Sequence, residues 1–255
     1  MSPKFAIAGG HRLEYEILPG RDTDRAPLVL LHEGLGSIAL WRDFPQLLVA
    51  ATGRSALVYS RYGYGHSDAL AEARRPDYLH VEALRTLSEL LDALDIARPV
   101  LVGHSDGASI ALIHAGGAGR PVSGVVAMAP HVMVEEVALA GIRDTVRSFE
   151  SGKLRERLAS HHDDVDGAFR GWSDTWLDPA FRAWNIEEYL PRIAAPILAV
   201  QGEDDEYATM AQIDRIAAQA SDVEVLKLAD CRHSPHRDQP AALVDAIATF
   251  VGQLR

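Results

Sequence analysis

Cysteine is nearly missing from this chain of 255 residues, in which Cys231 is the single example. One cysteine excludes a disulfide within the chain and fits a reducing compartment. No apolar run approaches the roughly 20 residues that span a bilayer. Residues 1–5 lack the apolar stretch of a signal peptide. The sequence therefore predicts a cytoplasmic protein that has no membrane as a partner.

Basic residues are also scarce relative to acidic ones. The chain has 25 Lys and Arg against 36 Asp and Glu, which gives a formal net charge of -11. A negative protein repels nucleic acid and anionic lipid headgroups, so neither is expected as a partner and a small molecule is. The length suits one large α/β domain. Whether copies of the chain form a homo-oligomer stays open.

The most informative feature is the sequence Gly-His-Ser-Asp-Gly at residues 103–107. It follows an apolar run at residues 99–102, which predicts a buried strand, and precedes a helical pattern at residues 108–115. A sharp turn from strand to helix strains its middle residue, and glycines two positions away on each side prevent collisions. Such a turn presents Ser105 near the positive end of a helix. This context favours Ser105 as a nucleophile over an incidental serine in a glycine-rich turn.

A serine nucleophile needs a general base, and the base works best when a carboxylate orients it. Where serine occupies such a turn, the acid and then the histidine follow it along the chain. Four acidic residues at 203–206 come directly after an apolar run at 196–202, and His233 follows the strand pattern at 223–228. His233 is therefore the predicted base. The neighbouring Cys231 has no comparable turn and is interpreted as structural.

Four segments of the chain resemble the α/β-hydrolase fold family. They are residues 30–36, residues 60–67, residues 103–107, and residues 202–205 together with 232–233. The resemblance is to compact single-cap serine hydrolases, the group of carboxylesterases, meta-cleavage-product hydrolases and haloperoxidase-type esterases. It implies an α/β fold with a mostly parallel central sheet, helices on both faces and a helical cap insertion.

The resemblance also implies which acid and which histidine act. In such enzymes the acid comes three residues after the glycine that ends its strand, which selects Asp205 over Asp204. The histidine usually follows a glycine, and Arg232 occupies that position here. His233 is the expected base, and His236 stays as the alternative.

The oxyanion hole is expected to use the backbone amides of Gly34 and Asp106. Members of the family carry His-Gly-x in this loop and donate from the third position, whereas Glu33 takes the place of the glycine here. Glu33 either turns outward and pairs with Arg42 or Arg61, or joins Asp106 in an acidic rim that selects a cationic substrate or holds a water. The free energy needed to bury an unpaired charge favours the pairing.

The alternation of strands and helices, which is typical of a parallel sheet, stops between residues 131 and 190. This segment is helical, charged and aromatic and is predicted to form a cap, with residues 1–130 and 191–255 as the hydrolase core. Most of its aromatic side chains are expected to form the core of the cap. Trp172 and Trp176 are the candidates for lining a substrate pocket.

No cofactor and no metal ion are expected. Residues 161–166 place histidines and aspartates side by side. Adjacent ligands in a polar loop rarely converge on one ion, so this stretch is interpreted as a solvated loop.

The predicted reaction is hydrolysis of an ester, a thioester or a related activated carbonyl through an acyl-enzyme on Ser105. Three other reactions use the same residues: hydrolysis of a carbon–carbon bond in a ring-cleavage product, perhydrolysis and lactone opening. The sequence does not separate these reactions, because they depend on the shape of the pocket and the placement of water. A non-catalytic ligand receptor with this fold is a further alternative, and the complete set of Ser105, Asp205 and His233 argues against it.

Overall fold

An eight-stranded sheet runs through the computed structural model of the chain, which describes residues 3–254. The strands lie in the order β1-β2-β4-β3-β5-β6-β7-β8. Their bounds are β1 Lys4–Ala8, β2 His11–Leu18, β3 Leu28–Leu31, β4 Ala56–Tyr59, β5 Val100–His104, β6 Gly124–Met128, β7 Ile197–Gly202 and β8 Val223–Leu228. β2 pairs antiparallel with β1 and β4, and the other five pairings are parallel. The predicted α/β class with a mostly parallel sheet is confirmed.

Helices cover both faces of this sheet. Their bounds are α1 Phe44–Thr52, α2 Tyr78–Val81, α3 Leu87–Ala93, α4 Asp106–Gly117, α5 Glu136–Glu150, α6 Lys153–Ala159, α7 Val165–Leu177, α8 Ala211–Gln219, α9 Pro235–Asp238 and α10 Pro240–Gln253. A π-helical turn, Glu82–Thr86, joins α2 to α3. Short 3₁₀ helices span Ile38–Trp41, Pro179–Ala183 and Glu187–Arg192. No helix within residues 3–254 is long and apolar enough to cross a membrane.

The strands β3 to β7 are buried at every position, because each has a helical layer on both sides. Successive side chains of a strand point to opposite faces. Accordingly, Leu28 and Leu30 pack into the core beneath α1 and α10, whereas Val29 and Leu31 pack into the core beneath α3, α4 and α8. All four side chains are fully buried. The sheet therefore forms a rigid platform whose parallel strands end at one common edge.

Three helices, α5, α6 and α7, lie between β6 and β7 along the chain, in the segment where the sequence predicts a cap. Their aromatic side chains pack on one another. Phe149 stacks on Phe169 with ring centroids 3.7 Å apart, and Trp172 lies edge-on to Phe169 at 6.0 Å. Phe181 stacks on Trp184 at 5.3 Å. Most aromatics of this segment thus stabilise the segment itself.

His162 corrects the interpretation of residues 161–166 as a solvated loop. Its side chain is buried, and burial lowers its pKa, which favours the neutral ring. The neutral ring accepts a hydrogen bond from the N–H of Gly65 at 3.0 Å and donates to the carbonyl of Leu35 at 3.1 Å. The amide of Asp163 also donates to the carbonyl of Gly65. This loop therefore ties the helical insertion to two loops of the core.

Candidate active site

Ser105 lies at the turn between β5 and α4, at the edge where the parallel strands end. Its backbone has φ 53° and ψ -119°, a conformation that non-glycine residues rarely adopt. A side chain at Gly103 would collide with the backbone of Gly107, and one at Gly107 would collide with the carbonyl of Leu31. Glycine at both positions therefore allows the sharp turn that lifts the Ser105 side chain above the sheet.

Ser105, His233 and Asp205 form a hydrogen-bonded chain. Nε2 of His233 lies 2.9 Å from Oγ of Ser105, and Nδ1 lies 2.9 Å from both carboxylate oxygens of Asp205. Nδ1 donates to the carboxylate, which leaves Nε2 to accept the Ser105 hydroxyl proton. Asp205 also accepts the N–H groups of Tyr207 and Ala208 at 2.8 and 3.1 Å. These three side chains can abstract a proton from the serine and stabilise the resulting imidazolium.

The environment of Asp205 keeps its carboxyl group ionised. Burial alone raises the pKa of this carboxyl group. The hydrogen bond from His233, the charge of that ring and the N–H of Tyr207 act in the opposite direction and outweigh burial, so the pKa lies below its usual value. Asp205 is therefore a carboxylate whenever His233 works as a base.

The alternative acid, Asp204, and the alternative base, His236, lie away from Ser105. Asp204 is exposed, and the structure gives its carboxylate no hydrogen bond to the rings described above. His236 is buried against Trp41, with ring centroids 5.1 Å apart, and its two ring nitrogens have no hydrogen-bond partner within residues 3–254. Burial, and then the nearby His104, lower its pKa well below the usual value. Neither Asp204 nor His236 contacts Ser105.

The amides expected to form the oxyanion hole line the cavity that contains Ser105. Neither the N–H of Gly34 nor that of Asp106 donates to another of the described residues, so both are free to bind an oxyanion. Gly34 must lack a side chain, because a Cβ there would collide with the indole of Trp172. Trp172 and Trp176 both line the cavity, and the indole N–H of Trp176 also donates to the Asp106 carboxylate at 3.2 Å.

The expected pairing of Glu33 with Arg42 or Arg61 is wrong. Oε2 of Glu33 lies 3.4 Å from Nδ1 of His104, and Oε1 lies 3.8 Å from Nη2 of Arg237. Arg61 instead donates to the main-chain carbonyl of Glu33. The physical reason is that the carbonyl and the side chain of Glu33 reach different neighbours. The partners of the carboxylate come from the end of β5 and from α9, which are close only in the folded chain.

The Asp106 carboxylate does not form an acidic rim with Glu33. It is fully buried, lies 3.6 Å from Nη2 of Arg61 and accepts the hydroxyl of Tyr78 at 2.6 Å. Its charge is therefore neutralised below the nucleophile. Burial raises the pKa of the Glu33 carboxyl group, but the hydrogen bond from His104 and the electrostatic effects of His104, His236 and His32 together outweigh it, so this pKa lies well below its usual value.

His104 connects the loop of Glu33 and Gly34 to the loop that carries His233. Its Nε2 lies 2.7 Å from the carbonyl oxygen of His233, and this nitrogen must carry the donated hydrogen because a carbonyl has none to give. Its Nδ1 faces the Glu33 carboxylate. His104, the residue before Ser105, thus fixes the backbone that carries His233.

His131 is a cavity residue that the sequence reasoning missed. It is 3% exposed, and its ring centroid lies 5.7 Å from that of His233 and 5.0 Å from that of Trp176. Burial, and then the charge of His233, lower its pKa to about 3, so the ring is neutral at neutral pH. Its position just after β6, at the same edge of the sheet as the turn that carries Ser105, was the signal that pointed to it.

Cys231 is not available as a nucleophile. Its thiol is fully buried, and burial raises its pKa to about 11. The reactive form of cysteine is the thiolate, so this side chain stays unreactive at neutral pH and packs beneath the loop of His233.

The sequence matches a known family over most of its length. Residues 28–246 match the model of the "Alpha/beta hydrolase family". The chain belongs to the alpha/beta hydrolase family. The resemblance inferred from its motifs is therefore confirmed.

Relatives of this alpha/beta hydrolase act on different bonds. An sn-1-specific diacylglycerol lipase of Danio rerio is 24% identical over 98% of this chain and 86% of its own. A proline iminopeptidase of Lactiplantibacillus plantarum is 34% identical, over 41% of this chain and 36% of its own. Esterase RhEst1 from Rhodococcus sp. ECU1013 shares the fold with a TM-score of 0.75 and 21% identity, over 100% of both chains.

Proposed function

We propose that this alpha/beta hydrolase cleaves a small-molecule ester or thioester through an acyl-enzyme on Ser105. The observation that carries the proposal is the 2.9 Å contact between Nε2 of His233 and Oγ of Ser105, with Nδ1 of the same ring bonded to Asp205. This arrangement leaves the ring in the one tautomer that accepts the serine proton.

In the acylation step, Nε2 of His233 takes the hydroxyl proton while Oγ of Ser105 forms a bond to the substrate carbonyl carbon. The carbonyl oxygen becomes an oxyanion, which the amides of Gly34 and Asp106 stabilise. The tetrahedral intermediate collapses, and the imidazolium gives its proton to the departing alcohol or thiol. Asp205 holds the ring and offsets its positive charge.

In the deacylation step, His233 takes a proton from water, and the water oxygen attacks the acyl carbon. Collapse of the second intermediate breaks the bond to Oγ of Ser105, which regains its proton from the imidazolium. The acid product leaves, and the starting protonation state is restored. All groups in this cycle belong to the chain itself, and we propose no cofactor.

The size and lining of the cavity support a small-molecule substrate. Its volume is about 770 Å³, which lies within the usual range for ligand pockets. Trp172 and Trp176 supply aromatic surface close to Ser105, and we propose that they contact the acyl group. The diacylglycerol lipase and the esterase among the relatives support ester cleavage.

The experiment is a turnover panel with purified protein and the variant Ser105→Ala. The panel contains acyl esters, acyl thioesters, lactones, prolyl amides and a vinylogous diketone from ring cleavage. We expect esters or thioesters to give the highest kcat/KM, and the variant to lose roughly a thousandfold or more. A higher kcat/KM on the diketone or on the prolyl amides would show that the proposed substrate class is wrong. Ligand binding without turnover of any compound would favour a receptor.

A further inference from the structure

The cavity above Ser105 extends along α5 and α6, well beyond the triad. Apolar side chains of these helices line this part, among them Val137, Ile142, Leu154 and Leu158. Charged groups are present as well. Four acidic residues, Glu33, Asp106, Asp144 and Glu206, and three arginines, Arg42, Arg157 and Arg237, are among the residues that line the same space.

Each of the four carboxylates already has a partner. Glu33 is held by His104 and Arg237, Asp106 by Arg61, Asp144 by Arg147, and Glu206 by the backbone N–H of His233 at 3.2 Å. A substrate cation would therefore have to compete with existing contacts. The cavity is poorly suited to selecting a cationic substrate, which was one interpretation of Glu33.

The arginines differ from the carboxylates in this respect. Arg237 is shared between Glu33 and the carbonyl of Leu40, to which it donates at 3.1 Å. Arg42 and Arg157 are exposed, and no carboxylate within residues 3–254 lies at ion-pair distance from either guanidinium group. Two cationic groups in the cavity thus remain available to a ligand.

The backbone of Arg42 carries a second, independent observation. Its φ of 55° and ψ of -125° are close to the values of 53° and -119° at the nucleophile Ser105. Non-glycine residues in such conformations cluster at functional sites. This strained residue lies between the 3₁₀ helix Ile38–Trp41 and α1, and it lines the cavity.

We propose that Arg42 and Arg157 form a subsite that binds a carboxylate on the substrate, remote from the scissile carbonyl. Arg42 directly follows the 3₁₀ helix Ile38–Trp41 and Arg157 lies in α6, and both residues line the cavity. The planar fork of guanidinium matches the two oxygens of a carboxylate. The substrate class is an ester or thioester with an apolar body and a terminal carboxylate. This inference rests on the proposed function and narrows it.

The test compares 4-nitrophenyl hemiesters of glutaric, adipic and suberic acid with the matching 4-nitrophenyl methyl diesters, which lack the carboxylate charge. The proteins are the parent, Arg42→Gln, Arg157→Gln and the double variant. Arg143→Gln is the matched control, because Arg143 is an exposed residue of α5 that does not line the cavity. Lysine and arginine contacts to carboxylates are weakened by salt, so each pair is measured at low and high ionic strength.

We expect the parent to prefer a hemiester, and each single variant to lose about three- to tenfold in kcat/KM on the hemiester alone. High salt is expected to reduce the preference of the parent for the hemiester over the diester, and to leave this ratio unchanged in the double variant. Equal kcat/KM of the parent on both ester types, or an equal loss in Arg143→Gln, would overturn the subsite. Turnover of the methyl diesters at the same rate as the hemiesters contradicts the subsite alone. Absence of Ser105-dependent turnover on both esters contradicts the proposed function as well.

Discussion

Nη2 of Arg61 donates a hydrogen bond to the carbonyl oxygen of Glu33 at 2.9 Å. That carbonyl shares a planar peptide group with the N–H of Gly34, so the guanidinium helps to fix the direction of this amide. Nδ1 of His32 donates to the same oxygen at 2.7 Å. Because Nη2 also lies 3.6 Å from the Asp106 carboxylate, one buried cation contacts both segments that carry the proposed oxyanion donors.

Arg61→Met is expected to lower the free energy of unfolding by about 3–5 kcal/mol, because it leaves the Asp106 carboxylate buried without its cation. The matched control is Arg75→Met, whose ion pair with Asp77 is exposed and is expected to contribute about 1 kcal/mol or less. Urea denaturation at neutral pH measures both. Equal midpoints for the two variants would show that the buried pair does not hold the oxyanion segments.

Asp205→Asn is expected to reduce kcat by about three to four orders of magnitude, because the amide cannot stabilise the imidazolium of His233 or hold its tautomer. Asp204→Asn is the control with the same chemical change one residue earlier, and it should stay within about threefold of the parent, since Asp204 is exposed. Steady-state kinetics on one ester decides between them. A larger loss in Asp204→Asn would exchange the two assignments.

His236→Phe is expected to keep activity and to raise stability by about 1 kcal/mol at neutral pH, because an imidazole without partners is replaced by an apolar ring against Trp41 and Phe44. His233→Ala should instead be nearly inactive. Steady-state kinetics and denaturation together test the pair. Loss of activity in His236→Phe, with His233→Ala still active, would make His236 the base.

The burial of His236 also predicts how the stability of the parent protein depends on pH. The folded protein keeps His236 neutral, because burial holds its pKa well below the usual value, whereas the unfolded chain binds a proton at this residue below about pH 6.5. The unfolding free energy of the parent should therefore fall as the pH drops below 6.5, by up to about 1.4 kcal/mol per pH unit from this group. His236→Phe should show a shallower slope between pH 6.5 and 5, and an unchanged slope would contradict the assignment.

Glu33→Gln is expected to lower the unfolding free energy by about 1.5 kcal/mol at neutral pH, because it removes the charged partner of His104. The pKa of Glu33 is depressed in the folded protein, so its contribution is fully present above about pH 4.3, the ordinary value. The difference between parent and variant should shrink as the pH falls below 4.3. A difference that stays constant down to pH 3 would show that the charge of Glu33 is irrelevant to stability.

The sequence predicted those features that local patterns determine. The apolar runs gave the parallel strands, and the two glycines around Ser105 gave the turn between strand and helix. Asp205 and His233 follow the ends of β7 and β8, and parallel strands bring such ends together at one edge. The choice of Asp205 over Asp204 came from the resemblance to the family, and the sequence left His236 as an alternative to His233.

The partners of buried charges were beyond the reach of the sequence. The carboxylate of Glu33 contacts His104, which is 71 residues away along the chain. The main-chain carbonyl of Glu33 contacts Arg61 instead. Arg42 and Arg61 are nearer along the chain to Glu33 than its actual partners are, but proximity along the chain does not fix the direction of a side chain. His131 differs, because its position just after β6 was a usable signal that the sequence analysis did not take up.

The central claim is that His233 activates Ser105 for covalent attack, and reaction with a fluorophosphonate tests it most directly. Intact-protein mass spectrometry followed by peptide mapping should find one phosphonyl group, attached to Ser105. The adduct should be absent from Ser105→Ala and should form far more slowly in His233→Ala. Rapid labelling of Ser105→Ala at another residue, or no labelling of the parent, would contradict the account.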